Sequence, residues 1–334
     1  MTATPTELAS DGGAGAGATG DGESDGDSFH RHDRPPSPLD GQVLLSDPGL
    51  IERSRRPGPI QRIRNVWQYR ELLRNLTRLE LKVKYKNSIL GFFWSLLNPA
   101  LYLAVFGIVF TVLIKGQNVP QFALFLLSGL LVWNFFSSAI TAGAGSIVGN
   151  ASLVTKVWFP REILPLASVG AAAFHLLLQS AVLLAALAIF HRVPSANFSP
   201  LLLPALVVLV LLTCAFAIAL AAVNVYLRDT QHLLELVLVA WFWGSAIVYP
   251  LANVTTVLHN HGLPDTLTWI NPVMPLILVF QRALYNPADT AILGNHGVRW
   301  YLAGIGTIGV VSIVLLIGAL TLFGRLEDNF AEEI

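Results

Sequence analysis

The 334 residues are 54% hydrophobic and only 13% charged, roughly half the charge of an average soluble domain. Lysine plus arginine equals aspartate plus glutamate, 21 each, so net charge points to no class of partner. The distribution excludes an ordinary water-soluble fold: no acidic residue lies between Glu80 and Glu162, or between Glu162 and Asp229.

Residues 1–60 contain the run DGGAGAGATGDGESDGDS, an acidic, glycine-rich composition that cannot bury a core and predicts a disordered tail. It has neither the basic start nor the apolar centre of a secretion signal. Residues 61–88 follow as an amphipathic helix. Apolar side chains recur at Tyr69, Leu72, Leu73, Leu76, Leu79 and Val83, which is helical spacing. Basic residues fall four apart at Arg70, Arg74, Arg78, Lys82 and Lys86. Such a helix suits the membrane interface, with its basic side toward anionic groups. It serves either as a topology anchor or as a receiver of a negatively charged head group. No nucleic-acid motif accompanies it, so a nucleic-acid partner is not expected.

Residues 89–325 hold six apolar segments at about 89–113, 122–148, 164–190, 201–226, 234–252 and 300–323. Spanning a bilayer takes roughly 20 apolar residues, and the lack of water forces each into a helix. With the N-terminus inside, the interior side carries 17 of the 21 basic residues and the exterior four. That asymmetry predicts a multi-pass protein of the cell (inner or plasma) membrane with both termini cytoplasmic, including the short acidic C-terminus 326–334. His175, with Gln179 one turn on, falls inside the third segment, where a polar side chain is a functional candidate.

The segment NASLVTKVWFPREILP, residues 150–165, faces the cytoplasm on this topology. It is too long for a simple turn. It reads as a short helix over Ala151–Val157, then Trp158 and Phe159 as an apolar plug, with Pro160 as a stop. Between the fifth and sixth segments, TLTWINPVMPLILVFQRALYNP is apolar but broken by Pro272 and Pro275. Short broken apolar pieces suit a re-entrant hairpin. No phosphate-cradling GxxxxGK[ST], no HExxH and no cysteine–histidine set occurs, so neither nucleotide hydrolysis nor a metal site is expected in this chain. A transporter built this way needs energy from a partner, and residues 150–165 are the natural docking surface.

Four stretches, 81–110, 150–169, 227–251 and 269–285, resemble the permeases of type-2 ABC exporters, above all the branch exporting O-antigen, teichoic acid and cell-wall galactan. The resemblance covers about residues 65–330. It implies an all-α polytopic protein: six transmembrane helices, an N-terminal interfacial (gate) helix, a cytoplasmic coupling helix and a re-entrant outer loop. It implies a homodimer bound 2:2 to a cytoplasmic ATPase that carries the ATP and magnesium. The substrate would be a polysaccharide on a polyprenyl diphosphate lipid. It places the ATPase contact at Asn150, Ser152, Leu153, Lys156, Trp158, Phe159, Pro160 and Arg161. Arg74, Arg78, Lys82, Lys84, Tyr85 and Lys86 form the gate helix facing the lipid diphosphate. Trp269, Asn271, Pro272 and Pro275 form the outer gate. Phe92, Phe93, Trp94, Tyr102, Phe106, His175, Trp241, Trp243 and Tyr249 are candidates for the glycan path, because aromatic faces suit sugar rings; helix packing and interface belts are the plainer account of any single aromatic, and only the set points to a path. Two other readings remain open: a type-2 ABC exporter of a small amphiphile or lipid, and a membrane enzyme acting on polyprenyl phosphates.

Overall fold

The computed structural model describes residues 58–86, 93–109, 121–285 and 290–333. Nearly all of the acidic tail, Phe92 and the outer parts of the first apolar segment lie outside the described residues. The described residues are helical with no strand.

The basic amphipathic region forms two helices, α1 (Pro59–Gln68) and α2 (Arg70–Tyr85), separated at Tyr69. Pro59 opens α1, where a missing N–H costs nothing. Helix α3 (Phe93–Ile108) carries Pro99 in its interior, which removes one rung of its hydrogen-bond ladder. Helix α4 (Phe122–Gly149) runs into the six-residue α5 (Ala151–Lys156) through Asn150. The carboxamide of Asn150 donates to the Ser146 carbonyl at 2.8 Å. Next come α6 (Ile163–Ile189), α7 (Leu202–Tyr226) and α8 (Thr230–Trp243).

Among the described residues, four helices are long and apolar enough to cross a membrane: α4, α6, α7 with the 3₁₀ turn before it, and α12 (Val298–Leu326) with the turn after it. They match the second, third, fourth and sixth apolar segments of the sequence. The fifth segment, expected as one helix over 234–252, is instead broken. Helix α8 stops at Trp243, an irregular stretch follows with Ala246 at φ 47°, and α9 (Leu251–Asn260) starts after Pro250. Apolarity alone does not register such a break; Gly244 and Pro250 at its ends do.

The proline-broken stretch after α9 is short and packed inward. A 3₁₀ turn (Asp265–Ile270) leads to α10 (Met274–Phe280), whose seven residues are all buried, and then to a π-helical turn (Gln281–Tyr285). The small α11 (Thr290–Leu293) precedes α12, and α13 (Phe330–Glu333) follows it.

Helix α4 is the axis of the bundle. It is apolar around its whole circumference and buried on almost every face, as expected of a helix with no solvent side. Helices α6 and α7 flank it, α12 packs on α7, and α10 closes one end. A second apolar cluster sits at the other end, where Val154, Phe159, Ile163, Ile218, Phe323 and Phe330 meet. Leu72, Leu73 and Leu76 of α2 pack against it.

Candidate functional site

Helix α2 is held to α6 along one face by a close approach at Gly170 and polar contacts at Ser168 and His175. Thr77 lies against Gly170, where an added Cβ would come within 2.9 Å of the Thr77 hydroxyl. The glycine therefore lets the two helices approach. One turn on, Ser168 donates to the Glu80 carboxylate at 2.9 Å. At the end of α2, the Lys84 ammonium donates to His175 Nε2 at 3.1 Å. A charged lysine has no acceptor, so the proton of His175 sits on Nδ1, 3.1 Å from the Tyr85 hydroxyl. The Tyr85 ring also meets His175 edge-on at 5.8 Å.

Arg70, Arg74, Arg78, Lys82 and Lys86 are exposed along α2, with Leu79 and Val83 exposed among them. Arg74 pairs with Glu71 at 3.3 Å. The two ends of the basic region thus differ. Arg74, Arg78, Lys82 and Lys86 form an outer stripe, whereas Lys84, though exposed along its stem, reaches α6 with its ammonium, and Tyr85 is half-buried beside it.

Burial holds the Glu80 carboxyl above its usual range of 4.5, and the Ser168 hydroxyl opposes that shift only in part. With a raised folded pKa, the native state binds more protons than the unfolded chain above pH 4.5, so the docking that buries this carboxyl against α6 weakens as pH rises through that window, although the Ser168 bond itself favours the charged form. Glu80→Gln is therefore expected to tighten α2 on α6 at pH 8 and to flatten the pH dependence. Trypsin cleavage at Arg78 across pH 5–8 reads this; unchanged cleavage in the variant would contradict it.

Beside Lys84 and Tyr85 opens a cavity of about 910 Å³. One wall is aromatic, with Trp94 and Tyr102 of α3 and Trp133 and Phe242 of α4 and α8. Another is polar, with Asn134, Ser137, Ser138 and Thr141 of α4 and Gln179 of α6. The Asn134 carboxamide donates to Gln179 at 3.4 Å. Glu235 of α8 completes the lining with a carboxylate. Burial lowers the pKa of Lys84 from its ordinary 10.5.

Of the aromatic residues proposed for a path, Trp94 and Tyr102 line this cavity together with His175. Phe106 stacks on Tyr102 at 6.1 Å, and Phe93 is exposed away from the cavity lining. Trp241 is placed differently: it packs edge-on against Phe136 at 5.2 Å and Phe216 at 5.7 Å. Trp243 is exposed, and its carbonyl accepts from the Tyr249 hydroxyl at 2.6 Å. The candidate path residues do not include the polar strip on α4. Asn134, Ser137, Ser138 and Thr141 recur at helical spacing within an apolar span, and that was the signal available.

Trp241 belongs with the residues read as an outer gate. Its indole N–H donates to Asn271 Oδ1 at 2.8 Å. The same oxygen accepts from the Val273 amide at 3.1 Å. The Asn271 amide reaches the Gly244 carbonyl and the Ser245 hydroxyl, both at 2.9 Å. One side chain thus pins the break after α8 to the loop ahead of α10. Pro272 leads into α10, Pro275 lies buried in its first turn, and Trp269 packs on Trp300 with ring centres 5.6 Å apart.

At the opposite end, the segment 150–165 folds as α5 followed by an extended turn. The sequence paired Trp158 and Phe159 as one plug; the structure separates them. Phe159 is 6% exposed within the apolar cluster and Trp158 is 84% exposed. Ser152 and Lys156 are exposed too, and Leu153 and Pro160 are partly buried. Arg161 donates to the Glu327 carbonyl at 2.6 Å and lies over the Phe330 ring. A groove of about 540 Å³ runs beside these residues.

Residues 71–285, well over half of the chain, match the family described as ABC-2 type transporter. The chain belongs to this family. Among its relatives is an O-antigen export system permease protein RfbA from Myxococcus xanthus, 32% identical over 279 residues, which cover 82% of this chain and 100% of the relative. An RfbA of the same description from Klebsiella pneumoniae is 28% identical, covering 78% and 94%. The Escherichia coli polysialic acid transport protein KpsM is 24% identical, covering 61% and 78%. The relatives bear the names of permeases and transport proteins, and this ABC-2 chain is accordingly a membrane transport subunit in which ATP is handled by a partner. The match spans α2 through the π-helical turn, and so takes in both the cavity and the exposed α5 segment.

Proposed function

We propose that this chain is the permease of an ATP-driven exporter that moves a polysaccharide, linked to a polyprenyl diphosphate, out of the cytoplasm across the cell membrane. The observation that carries the proposal is the cavity between α2, α3, α4 and α6. It offers one lysine ammonium at the end of the interfacial helix, then aromatic and hydroxyl-bearing walls of the kind that suit a sugar chain. The names of the relatives support a glycan cargo. The charge asymmetry of the sequence supports cytoplasmic termini, with residues 1–60 as a solvated tail and α1–α2 as the gate helix. Two copies with two ATPase subunits complete the assembly; α5 with Trp158 is the ATPase contact and the Asn271 region is the outer gate.

Affinity purification in detergent tests this. The ATPase should co-purify at 2:2. Lys156→Glu with Trp158→Ala should lower its recovery by about tenfold or more, since exposed aromatic anchors dominate interfaces. These two positions isolate docking better than Arg161, whose reversal would also disturb the C-terminal contact. Full glycan export by the purified chain without any ATPase would overturn the reading. Export of a small amphiphile, with no lipid-linked glycan accumulating in depleted cells, would favour the amphiphile alternative.

A further inference from the structure

Three chain segments far apart in sequence meet at one guanidinium. Arg62 of α1 is 4% exposed. It donates to both oxygens of Glu327, at 2.9 Å and 2.5 Å, and also to the Glu162 carboxylate. Glu162 is 2% exposed and is the last residue before α6. Glu327 begins the turn that ends α12. Arg161 adds a bond to the Glu327 backbone, and Tyr226, the last residue of α7, donates to the Leu326 carbonyl at 2.8 Å.

The fit depends on a gap in α12. A Cβ at Gly324 would come 2.8–3.0 Å from the guanidinium of Arg62, so only the missing side chain lets the arginine lie flat across that helix. One guanidinium serves two carboxylates, and burial holds the Glu162 carboxyl above its usual range even with Arg62 opposing that. The hydrogen bond with Glu327 raises the Arg62 pKa further, against the effect of its own burial.

We propose that Arg62 is a positioning residue for energy coupling: it locks the α5–α6 linker, the end of α12 and helix α1 into one rigid unit, so that a displacement of α5 moves all three together. The linker is short, and Glu162 stands six residues beyond the end of α5. Without the arginine, α5 can be pushed while α12 and α1 stay behind. Hydrolysis then continues and transport does not. A planar guanidinium with a fixed fork of donors can bridge two carboxylates at once, whereas a lysine holds them as a point charge and should do the same work less well.

This inference rests on the ATPase-partner reading above. The test uses the full chain with its co-purified ATPase, measuring complex recovery, ATP hydrolysis and the glycan reaching the cell surface of the producing strain. In Arg62→Met, recovery and basal hydrolysis should stay within about twofold of the unaltered chain, while surface glycan per ATP hydrolysed falls by about 5-fold or more, the lower bound of ordinary coupling energies being about 5-fold. Arg62→Lys should recover part of the yield. Gly324→Ala, which keeps every charge but displaces the guanidinium, should lower the yield in the same direction. If Arg62→Met fails to reach the membrane, Gly324→Ala and Glu327→Gln carry the test. Unchanged yield per ATP in those variants overturns the proposal, and so does a loss of yield that only tracks lost assembly. If the unaltered chain recovers no ATPase, the partner reading fails instead, whatever Arg62 does.

Discussion

Asn271→Leu is expected to destabilise the folded chain by about 2–4 kcal/mol, because four hydrogen bonds converge on that one side chain and a buried donor left without a partner carries its full desolvation cost. Leucine fills a similar volume but offers nothing to the Trp241 indole N–H, the Val273 amide, the Gly244 carbonyl or the Ser245 hydroxyl. The indole is the most exposed to loss, since its ring packs edge-on against Phe136 and Phe216. Asn271→Asp keeps the acceptor and loses the donor, and should fall between the two. Thermal unfolding in detergent measures the size of the effect. Limited proteolysis should show new cleavage between residues 244 and 250, where the break loses its pin. A midpoint within about 1 °C of the unaltered chain, against several degrees expected for such a loss, would refute the role.

Lys84→Glu should cut export by roughly tenfold or more while leaving ATPase recovery intact, because like charges at about 4 Å repel by about 4 kcal/mol even at an effective dielectric constant near 20. Among the residues lining the cavity, Lys84 is the lysine, and Glu235 already places one carboxylate there. A second would make the cavity hostile to a diphosphate. The comparison is Arg78→Glu with Lys82→Glu, on the exposed stripe of α2. If the inner lysine receives the head group, its single reversal should match or exceed the outer double reversal. Normal export from Lys84→Glu together with a block from the outer pair would assign the head group to the outer stripe.

The sequence made some of this legible and hid the rest for identifiable reasons. The long spans α4, α6, α7 and α12 stood out because charge is absent from them and lipid leaves a helix no alternative. Helix α5 was visible because Asn150 and Pro160 bracket a polar stretch between two spans. The fifth segment misled, since hydrophobicity counts Ala246, Ile247 and Val248 toward a helix whether or not they belong to one. The sorting of α2 also escaped: spacing put Lys82 and Lys84 in one basic set, and only the docking on Gly170 and His175 brings the Lys84 ammonium to α6. Trp158 and Phe159 are adjacent in sequence and have opposite surroundings. Arg62, Glu162 and Glu327 are separated by 100 and 165 residues along the chain, as their numbers show, and nothing local marks them as partners. Asn271 lay within a recognised motif, but its bond to Trp241 joins two residues that the sequence assigned to separate sites.

The shortness of α8 has a consequence for the lipid itself. Its 14 residues rise about 21 Å at about 1.5 Å each, some 9 Å less than a typical hydrocarbon layer of about 30 Å. The backbone that follows can leave helical geometry only because protein encloses it: Ser245, Ala246 and Ile247 are fully buried. On its outward side, with Leu233, Leu236 and Val237 exposed, α8 offers the bilayer an apolar surface too short for it. Lipid meets such a mismatch by thinning. A bilayer thinned beside the wall of the cavity leaves less hydrocarbon for the head group of the proposed substrate to cross.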